Sequence, residues 1–171
     1  MSREIKEWGK GMLNEIKVGI SDYKVARIPQ VLMTIGLGSC VGIAIYDPKT
    51  KIGGLSHIML PDSSSFKNAN KIEKFADLAI PQMVSEIRKE TKNQKLIAKI
   101  AGGASMFQTA NDSYIGSIGE RNVAAVERSL KLLNIPLLGI HTGGNMGRTM
   151  IVDLNTFAVT VRMVNREIIV L

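Results

Sequence analysis

A chain of 171 residues, 45% of them hydrophobic, is long enough for one domain with a sizeable core, and no shift in composition marks a second domain. A single cysteine excludes an internal disulfide bond, and no apolar run resembles a signal peptide or a membrane-spanning helix, so we expect a cytoplasmic protein without membrane insertion. The net charge of +7 favours acidic partners, but scattered basic residues and 5% aromatic content argue against nucleic acid.

The first predicted element is a short amphipathic helix within residues 1–17. Its apolar residues, among them Ile5, Trp8 and Met12, recur at helical spacing, although Gly9 and Gly11 weaken the helix. Residues 17–27 and 29–34 are then predicted to be strands that lead into a hairpin.

The hairpin holds the only cysteine and one of the two histidines of the chain. Residues 40–46 and 51–60 are typical of strands, and residues 47–50 are typical of a turn. If the loop has two residues, Cys40 lies directly opposite His57, with Cβ atoms about 5 Å apart. A thiol and an imidazole at that distance can share a proton. A bulge at the turn would shift this register by one residue.

Small residues surround the predicted pair. Gly42, Ala44 and Gly53 fall on the same strand faces as Cys40 and His57, which suggests the floor of a pocket. A cysteine in an apolar strand also packs commonly as an inert small hydrophobe, so both interpretations stay open for the thiol. The histidine opposite it favours a nucleophile and its base.

A glycine-punctuated segment precedes the hairpin. Gly36 and Gly38 allow the backbone to bend sharply and to bring amide groups close to a ligand. The bend would return Thr34 to the side of His57, where a threonine oxygen would fix the imidazole tautomer.

Two helices are predicted in the second half of the chain. The first begins with a capping pair of Asn70 and Glu73 and runs to about residue 90. The second follows a capping box of Ser117 and Glu120 and covers residues 118–133. The strands predicted around them cover residues 95–101, 137–141, 149–154 and 157–164.

Two glycine pairs follow the first two of these strands. Gly102-Gly103 and Gly143-Gly144 lack the lysine and spacing of a phosphate-binding loop or a dinucleotide site, so we expect no nucleotide. They are either tight turns or pocket walls whose amides approach a substrate. His141 is interpreted as structural, and one cysteine with two histidines lacks the spacing of a zinc site.

Five segments together resemble the CheD family, the chemoreceptor glutamine deamidases of bacterial chemotaxis. They are GLGSCV, HIMLP, AGGASMF, IGERN and HTGGNMGR, and the resemblance covers the chain from about residue 18 to its end. It implies a deamidase domain of residues 18–171, whereas residues 1–17, expected from their periodicity to be a helical extension, fall outside the resemblance. It also implies a catalytic triad, and the matching positions are Cys40, His57 and Thr34.

The resemblance implies an α/β fold, in which a mixed and largely antiparallel sheet is packed by two long helices as a layered sandwich. It implies chemoreceptor cytoplasmic domains as substrates and a CheC-type phosphatase as a partner. The residues then predicted to line the pocket are Gly38, Ser39, Gly102, Gly103, Gly143 and Gly144.

The implied reaction requires a reactive sulfur but no metal or organic cofactor. We expect a His57 imidazolium to lower the pKa of Cys40 so that a thiolate attacks a glutamine side chain at neutral pH. Two alternatives remain at this point: a binding module that regulates a phosphatase without chemistry, and a thiol acyltransferase or transglutaminase that uses the same pair.

Overall fold

The strands of this protein form two sheets in the computed structural model, which describes residues 14–106 and 117–171. Two α-helices cover the outer face of one sheet. The elements in chain order are β1 (Glu15–Lys17), β2 (Asp22–Arg27), β3 (Val31–Leu37), β4 (Val41–Asp47), β5 (Ile52–Ile58), a 3₁₀ helix (Ile72–Lys74), α1 (Ala76–Thr91), β6 (Ile97–Gly102), α2 (Ile118–Leu132), β7 (Leu137–Thr142), β8 (Arg148–Asp153), β9 (Val159–Met163) and β10 (Ile168–Val170).

Within the described residues each sheet has five strands and is mostly antiparallel. Sheet A has the order β1-β3-β8-β9-β10, and sheet B has the order β2-β5-β4-β6-β7. Only the pairs β1–β3 and β6–β7 are parallel among the described strands. The mixed, largely antiparallel α/β architecture with two helices is therefore confirmed, whereas the division of the strands between two stacked sheets was not anticipated.

Two hydrophobic layers hold these elements together. One lies between sheet B and the helices and includes Ile43, Met83 and Val126, and the other lies between the two sheets and includes Leu55 and Val152. Strand β4 contributes to both layers, because its side chains alternate between the two faces of sheet B. All of its residues are buried as a result.

The two helices begin differently. The capping box before α2 forms as predicted: the Glu120 amide donates to Ser117 Oγ, and the Ser117 amide donates to the Glu120 carboxylate, both at 3.2 Å. The cap expected at Asn70 is wrong, because α1 begins only after Phe75. Phe75 is extended and forms a β-bridge with Leu60. The backbone before it, which includes the 3₁₀ helix, is therefore not continuous with α1.

The N-terminal helix is also corrected where the structure describes it. Residues 15–17 form β1, parallel to β3, and the ladder continues through a bond from the Val18 amide to the Met33 carbonyl. Ile16 packs toward the layer between the sheets, which favours a strand over a helix here. The rest of the expected helix, in residues 1–13, lies outside the described residues. No helix within the two described ranges is long and apolar enough to cross a membrane.

Candidate active site

The β4–β5 hairpin carries the predicted cysteine and histidine in a different register from the expected one. Gly42, not Cys40, lies directly opposite His57. The loop is longer than two residues because Lys51 is left-handed, with φ of 58°, and its amide bonds the Asp47 carbonyl at 2.9 Å. The cysteine is displaced by two positions and lies just outside the strand, yet it packs against the layer between the two sheets, which is the side to which Gly42, opposite His57, also faces.

His57 is fully buried, and the hydrogen bonds of Thr34 define its tautomer. Thr34 Oγ1 donates its single hydrogen to the Val18 carbonyl at 2.7 Å. The same oxygen lies 2.7 Å from His57 Nδ1, so it must accept a hydrogen from that nitrogen. The proton of the neutral ring is therefore on Nδ1. Nε2 keeps its lone pair and has no hydrogen-bond partner among residues 14–106 and 117–171.

Thr34 is the last regularly paired residue of β3 before a bulge. Ile35 and Gly36 together face the single residue Thr149 of β8, and Gly36 adopts a φ of 80°, which glycine tolerates. Thr34 lies before the bulge, in the regularly paired part of β3, and is buried at 1%, whereas the next residue, Ile35, is 58% exposed, as alternation along a strand requires. The predicted position of Thr34 beside His57 is confirmed, and the regular pairing of β3 up to this residue is its cause.

Cys40 lies immediately before β4 and is only partly buried. Its carbonyl accepts a hydrogen bond from the Gly103 amide at 2.8 Å. Gly102 approaches so closely that a Cβ atom there would lie 2.3 Å from the same carbonyl oxygen. The glycine pair after β6 therefore fixes the backbone at the candidate nucleophile, and a side chain at residue 102 would displace it.

The three glycine-bearing segments predicted as pocket walls meet beside Cys40. The Ala104 amide bonds the Gly38 carbonyl at 2.8 Å, and the Gly143 amide bonds the Gly102 carbonyl at 3.1 Å. A third bond joins Ser105 to the Gly144 carbonyl at 2.8 Å. These bonds show how the segments support one another, while contact between their glycines and a substrate stays a prediction.

The pocket floor expected from the small residues of the hairpin is wrong. A Cβ atom at Gly42 would lie 2.7 Å from Met150 Sδ, and one at Gly53 would lie 3.0 Å from a methyl carbon of Leu154. Met150 and Leu154 belong to the layer between the sheets. The glycines therefore let sheet A pack closely against sheet B, and this packing is what buries His57.

Burial also changes the expected ionisation of the pair. It raises the pKa of Cys40, although the cysteine's own amide group partly opposes the rise, and it lowers the pKa of His57 from 6.5 to about 4. Both shifts favour a neutral thiol and a neutral imidazole at pH 7. The thiolate and imidazolium expected from the sequence are thus not the favoured resting state, and His57 Nε2 is instead free to accept a proton during a reaction.

Arg148 is a buried residue of this region that the sequence analysis missed. Its guanidinium donates to the His141 carbonyl and to the Gly143 carbonyl, and Nη1 lies 2.8 Å from His141 Nδ1. His141, near the end of β7, thus contacts a buried arginine at the start of β8, as suits a structural histidine. The only sequence signal was the position of Arg148 in the HTGGNMGR segment.

Asn122 was missed as well, although a signal for it existed. It lies on the buried face of α2 with Gly119, Ala125 and Val126, so a polar residue occupies a core position of the helix. Its side-chain amide donates to the Ser39 carbonyl at 2.9 Å. This bond connects α2 directly to the residue before Cys40.

These groups can perform nucleophilic chemistry assisted by a general base. The thiol and the imidazole both lie toward the layer between the two sheets, and a hydroxyl orients the imidazole so that its second nitrogen can take a proton. Such a set suits attack on a carbonyl carbon. Within residues 14–106 and 117–171, no three His, Cys, Asp or Glu side chains are grouped to hold a metal ion.

Comparison with known proteins places these features in a family context. Residues 59–163 match a family model described as CheD chemotactic sensory transduction. A protein of Clostridium botulinum strain Eklund 17B is 51% identical over 91% of this chain and 96% of its own length, and one of Clostridium kluyveri is 52% identical over 91% and 97%. A protein of Moorella thermoacetica is 50% identical over 90% and 93%. Each of the three is named probable chemoreceptor glutamine deamidase CheD.

Proposed function

Because the chain belongs to the CheD family, we propose that it is a deamidase that converts glutamine side chains of chemoreceptor cytoplasmic domains to glutamate. The names of its relatives supply the reaction and the class of substrate. The observation that carries the proposal is the Thr34–His57 hydrogen bond, which leaves the basic Nε2 of a buried ring without a partner among the described residues, on the side of sheet B where Cys40 packs.

The first half of the reaction forms a thioester. His57 Nε2 takes the proton of the Cys40 thiol as the sulfur attacks the side-chain carbonyl carbon of glutamine. The negative charge that develops on the carbonyl oxygen is stabilised by backbone amides near Cys40, including that of the cysteine itself. The carbon–nitrogen bond then breaks, and ammonia leaves with the proton held by His57.

The second half hydrolyses the thioester. His57 Nε2 takes a proton from water as the water oxygen attacks the thioester carbon, and the carbon–sulfur bond breaks. The proton returns to sulfur, so Cys40 and His57 regain their initial states and glutamate is released. Thr34 keeps accepting the Nδ1 hydrogen throughout, which prevents the ring from turning or exchanging tautomers.

The proposed substrate also determines where the protein acts. Chemoreceptor domains that signal inside the cell require a cytoplasmic deamidase. We include a CheC-type phosphatase as a second partner, on the grounds of the family resemblance. The net charge of +7 supports docking to acidic protein surfaces through attraction that salt weakens.

Mass spectrometry of a receptor cytoplasmic domain tests the proposed reaction. We expect incubation with this protein to convert specific glutamines to glutamates, and Cys40→Ala to abolish the conversion because the nucleophile is lost. Cys40→Ser is the matched control of similar size, and we expect it to fold normally and react far more slowly.

Three other outcomes would each contradict the proposed reaction. Full conversion by Cys40→Ala would eliminate the thiol mechanism. Incorporation of an added primary amine in place of water would indicate a transglutaminase. Absence of conversion by the wild type, together with a change in the rate of a CheC-type phosphatase, would indicate a binding module.

A further inference from the structure

The β4–β5 ladder ends where the candidate catalytic residues lie. Its last pair is Val41 with Ile58, directly after Cys40 in one strand and directly after His57 in the other. Beyond it the chains separate, because the amides of Met59 and Leu60 both bond the Lys74 carbonyl, at 2.9 and 3.0 Å. Some other group must therefore fix the distance between the two segments.

The side chain of Asn122 occupies this position. Its single amide nitrogen donates to the Ser39 carbonyl and to the Met59 carbonyl, each at 2.9 Å. Both amide hydrogens are used, one for each segment. Because one nitrogen binds both carbonyl oxygens, these oxygens cannot lie farther apart than twice the 2.9 Å of each bond.

The start of α2, just before Asn122, is held in place by two sets of contacts. The capping box of Ser117 and Glu120 fixes the start of α2. Gly119 packs so tightly that a Cβ atom there would lie 2.6 Å from the carbonyl oxygens of Gly103 and Ala104. Gly103 is also the residue whose amide bonds the Cys40 carbonyl, so the first turn of α2 and the nucleophile share one support.

The other half of the Asn122 side chain argues against a purely stabilising role. Its Oδ1 atom is buried and has no hydrogen-bond partner within the described part of the chain. An unpaired buried oxygen costs stability, so packing alone would favour a smaller or apolar side chain at this position. The same burial excludes direct contact between Asn122 and a substrate.

We propose that Asn122 is a positioning residue, which holds the segment of Cys40 against the segment of His57 so that the thiol stays within reach of Nε2. The inference rests on the proposed function, since it assigns the residue a task in the same reaction. It places the task on α2, which contributes no residue to the predicted triad.

The first test compares two cavity-forming variants of α2. We expect Asn122→Ala to lower kcat for receptor deamidation about 10- to 100-fold with little change in KM, because misplacement of reacting groups slows the chemical step. Val126→Ala is the matched control: Val126 is equally buried on α2 and packs into the helix-facing core. It should lower the melting temperature but leave kcat unchanged. An equal loss of kcat in both variants would overturn the proposal.

The second test needs no receptor. Alkylation of Cys40 by iodoacetamide at pH 7 should be slower in Asn122→Ala and slower in His57→Gln, and the double variant should react no more slowly than His57→Gln alone. This lack of additivity is expected if Asn122 acts through the cysteine–histidine pair. Additive losses would show an independent structural effect and would overturn the proposal.

The two tests also separate the two proposals. Coupled alkylation rates without receptor deamidation by the wild type would refute the proposed function and leave the positioning role standing. Deamidation that is unaffected by Asn122→Ala would refute the positioning role alone.

Discussion

The two histidines of this protein lie in buried or partly buried sites, yet the structure holds them in opposite tautomers. His57 gives its Nδ1 hydrogen to Thr34, which leaves Nε2 as a free base. His141 receives a hydrogen on Nδ1 from Arg148, since a guanidinium can only donate. The neutral ring of His141 therefore carries its proton on Nε2. The Thr34 hydroxyl thus leaves a nitrogen of His57 available as a base, whereas Arg148 holds His141 in a structural contact.

Burial lowers the pKa of both rings, so the pKa alone does not distinguish them. For His57 burial is the cause, and for His141 the positive charge of Arg148 adds to burial. The difference lies in which nitrogen remains available. A buried histidine is thus a candidate base only when its neighbours leave a lone pair unpaired toward the reacting group.

The largest expected effect separates the two rings by activity. His57→Gln retains a donor for Thr34 but lacks a base, so we expect kcat for receptor deamidation to fall about 10²- to 10⁴-fold. His141→Gln is the matched change at the other ring and should stay within a few-fold of the wild type. Ammonia release at saturating receptor measures both. A greater loss in His141→Gln would reverse the assignment.

A second expected effect separates the rings by the pH dependence of stability. The pKa of His57 is about 4 in the folded protein against 6.5 when unfolded, so the unfolded state binds more protons between these values. The free energy of unfolding should therefore fall by about 3 kcal/mol from this residue alone as the pH drops from 7 to 4. Urea titrations across this range should give a flatter pH profile for His57→Gln than for the wild type.

His141→Gln again provides the comparison for stability. Burial and Arg148 lower the pKa of His141, so its contribution has the same sign. We expect its removal to flatten the profile less than the removal of His57. Equal flattening in the two variants would show that the two rings do not differ in burial in the way that the structure describes.

The smallest effect concerns the hydroxyl that defines the tautomer. Thr34→Val keeps the shape of the side chain but leaves the Val18 carbonyl and His57 Nδ1 without a partner. We expect kcat to fall about 10- to 100-fold, less than in His57→Gln, since orienting a ring contributes less than the ring itself. Unpaired buried groups should also cost about 1 to 3 kcal/mol of stability in urea unfolding.

Thr34→Ser is the control that keeps the hydroxyl. It should retain most of the activity because Oγ can still accept from Nδ1 and donate to Val18. If Thr34→Val were as active as Thr34→Ser, the tautomer would not depend on this bond, and the distinction between the two histidines would have to be sought elsewhere.

Local patterns in the sequence sufficed for several parts of this structure. The capping box of Ser117 and Glu120 is a short-range arrangement, and the strand ends at the two glycine pairs are equally local. The approach of Thr34 to His57 was expected from a bend at Gly36, and it occurs, but through the regular pairing of β3 before that bend. The resemblance to CheD proteins supplied the order of the remaining segments.

What could not be predicted depends on contacts between distant segments. The register of the hairpin depends on the left-handed conformation of Lys51, a residue type that gives no warning of it. Gly42 and Gly53 suggested an empty space, and only the position of sheet A shows that Met150 and Leu154 fill it. Asn122 bonds segments 83 and 63 residues away, which no local pattern reveals.

The capping box of α2 has a consequence for insertions and deletions in this part of the chain. It fixes the first residue of the helix, and with it the direction in which every later side chain points. Each residue of an α-helix advances the direction by about 100°. One residue added or removed between Glu120 and Asn122 would keep this box and the helix, but would turn the asparagine amide away from Ser39 and Met59. The number of residues between the cap and Asn122 is thus fixed by geometry, whatever the identity of the exposed residues in this turn.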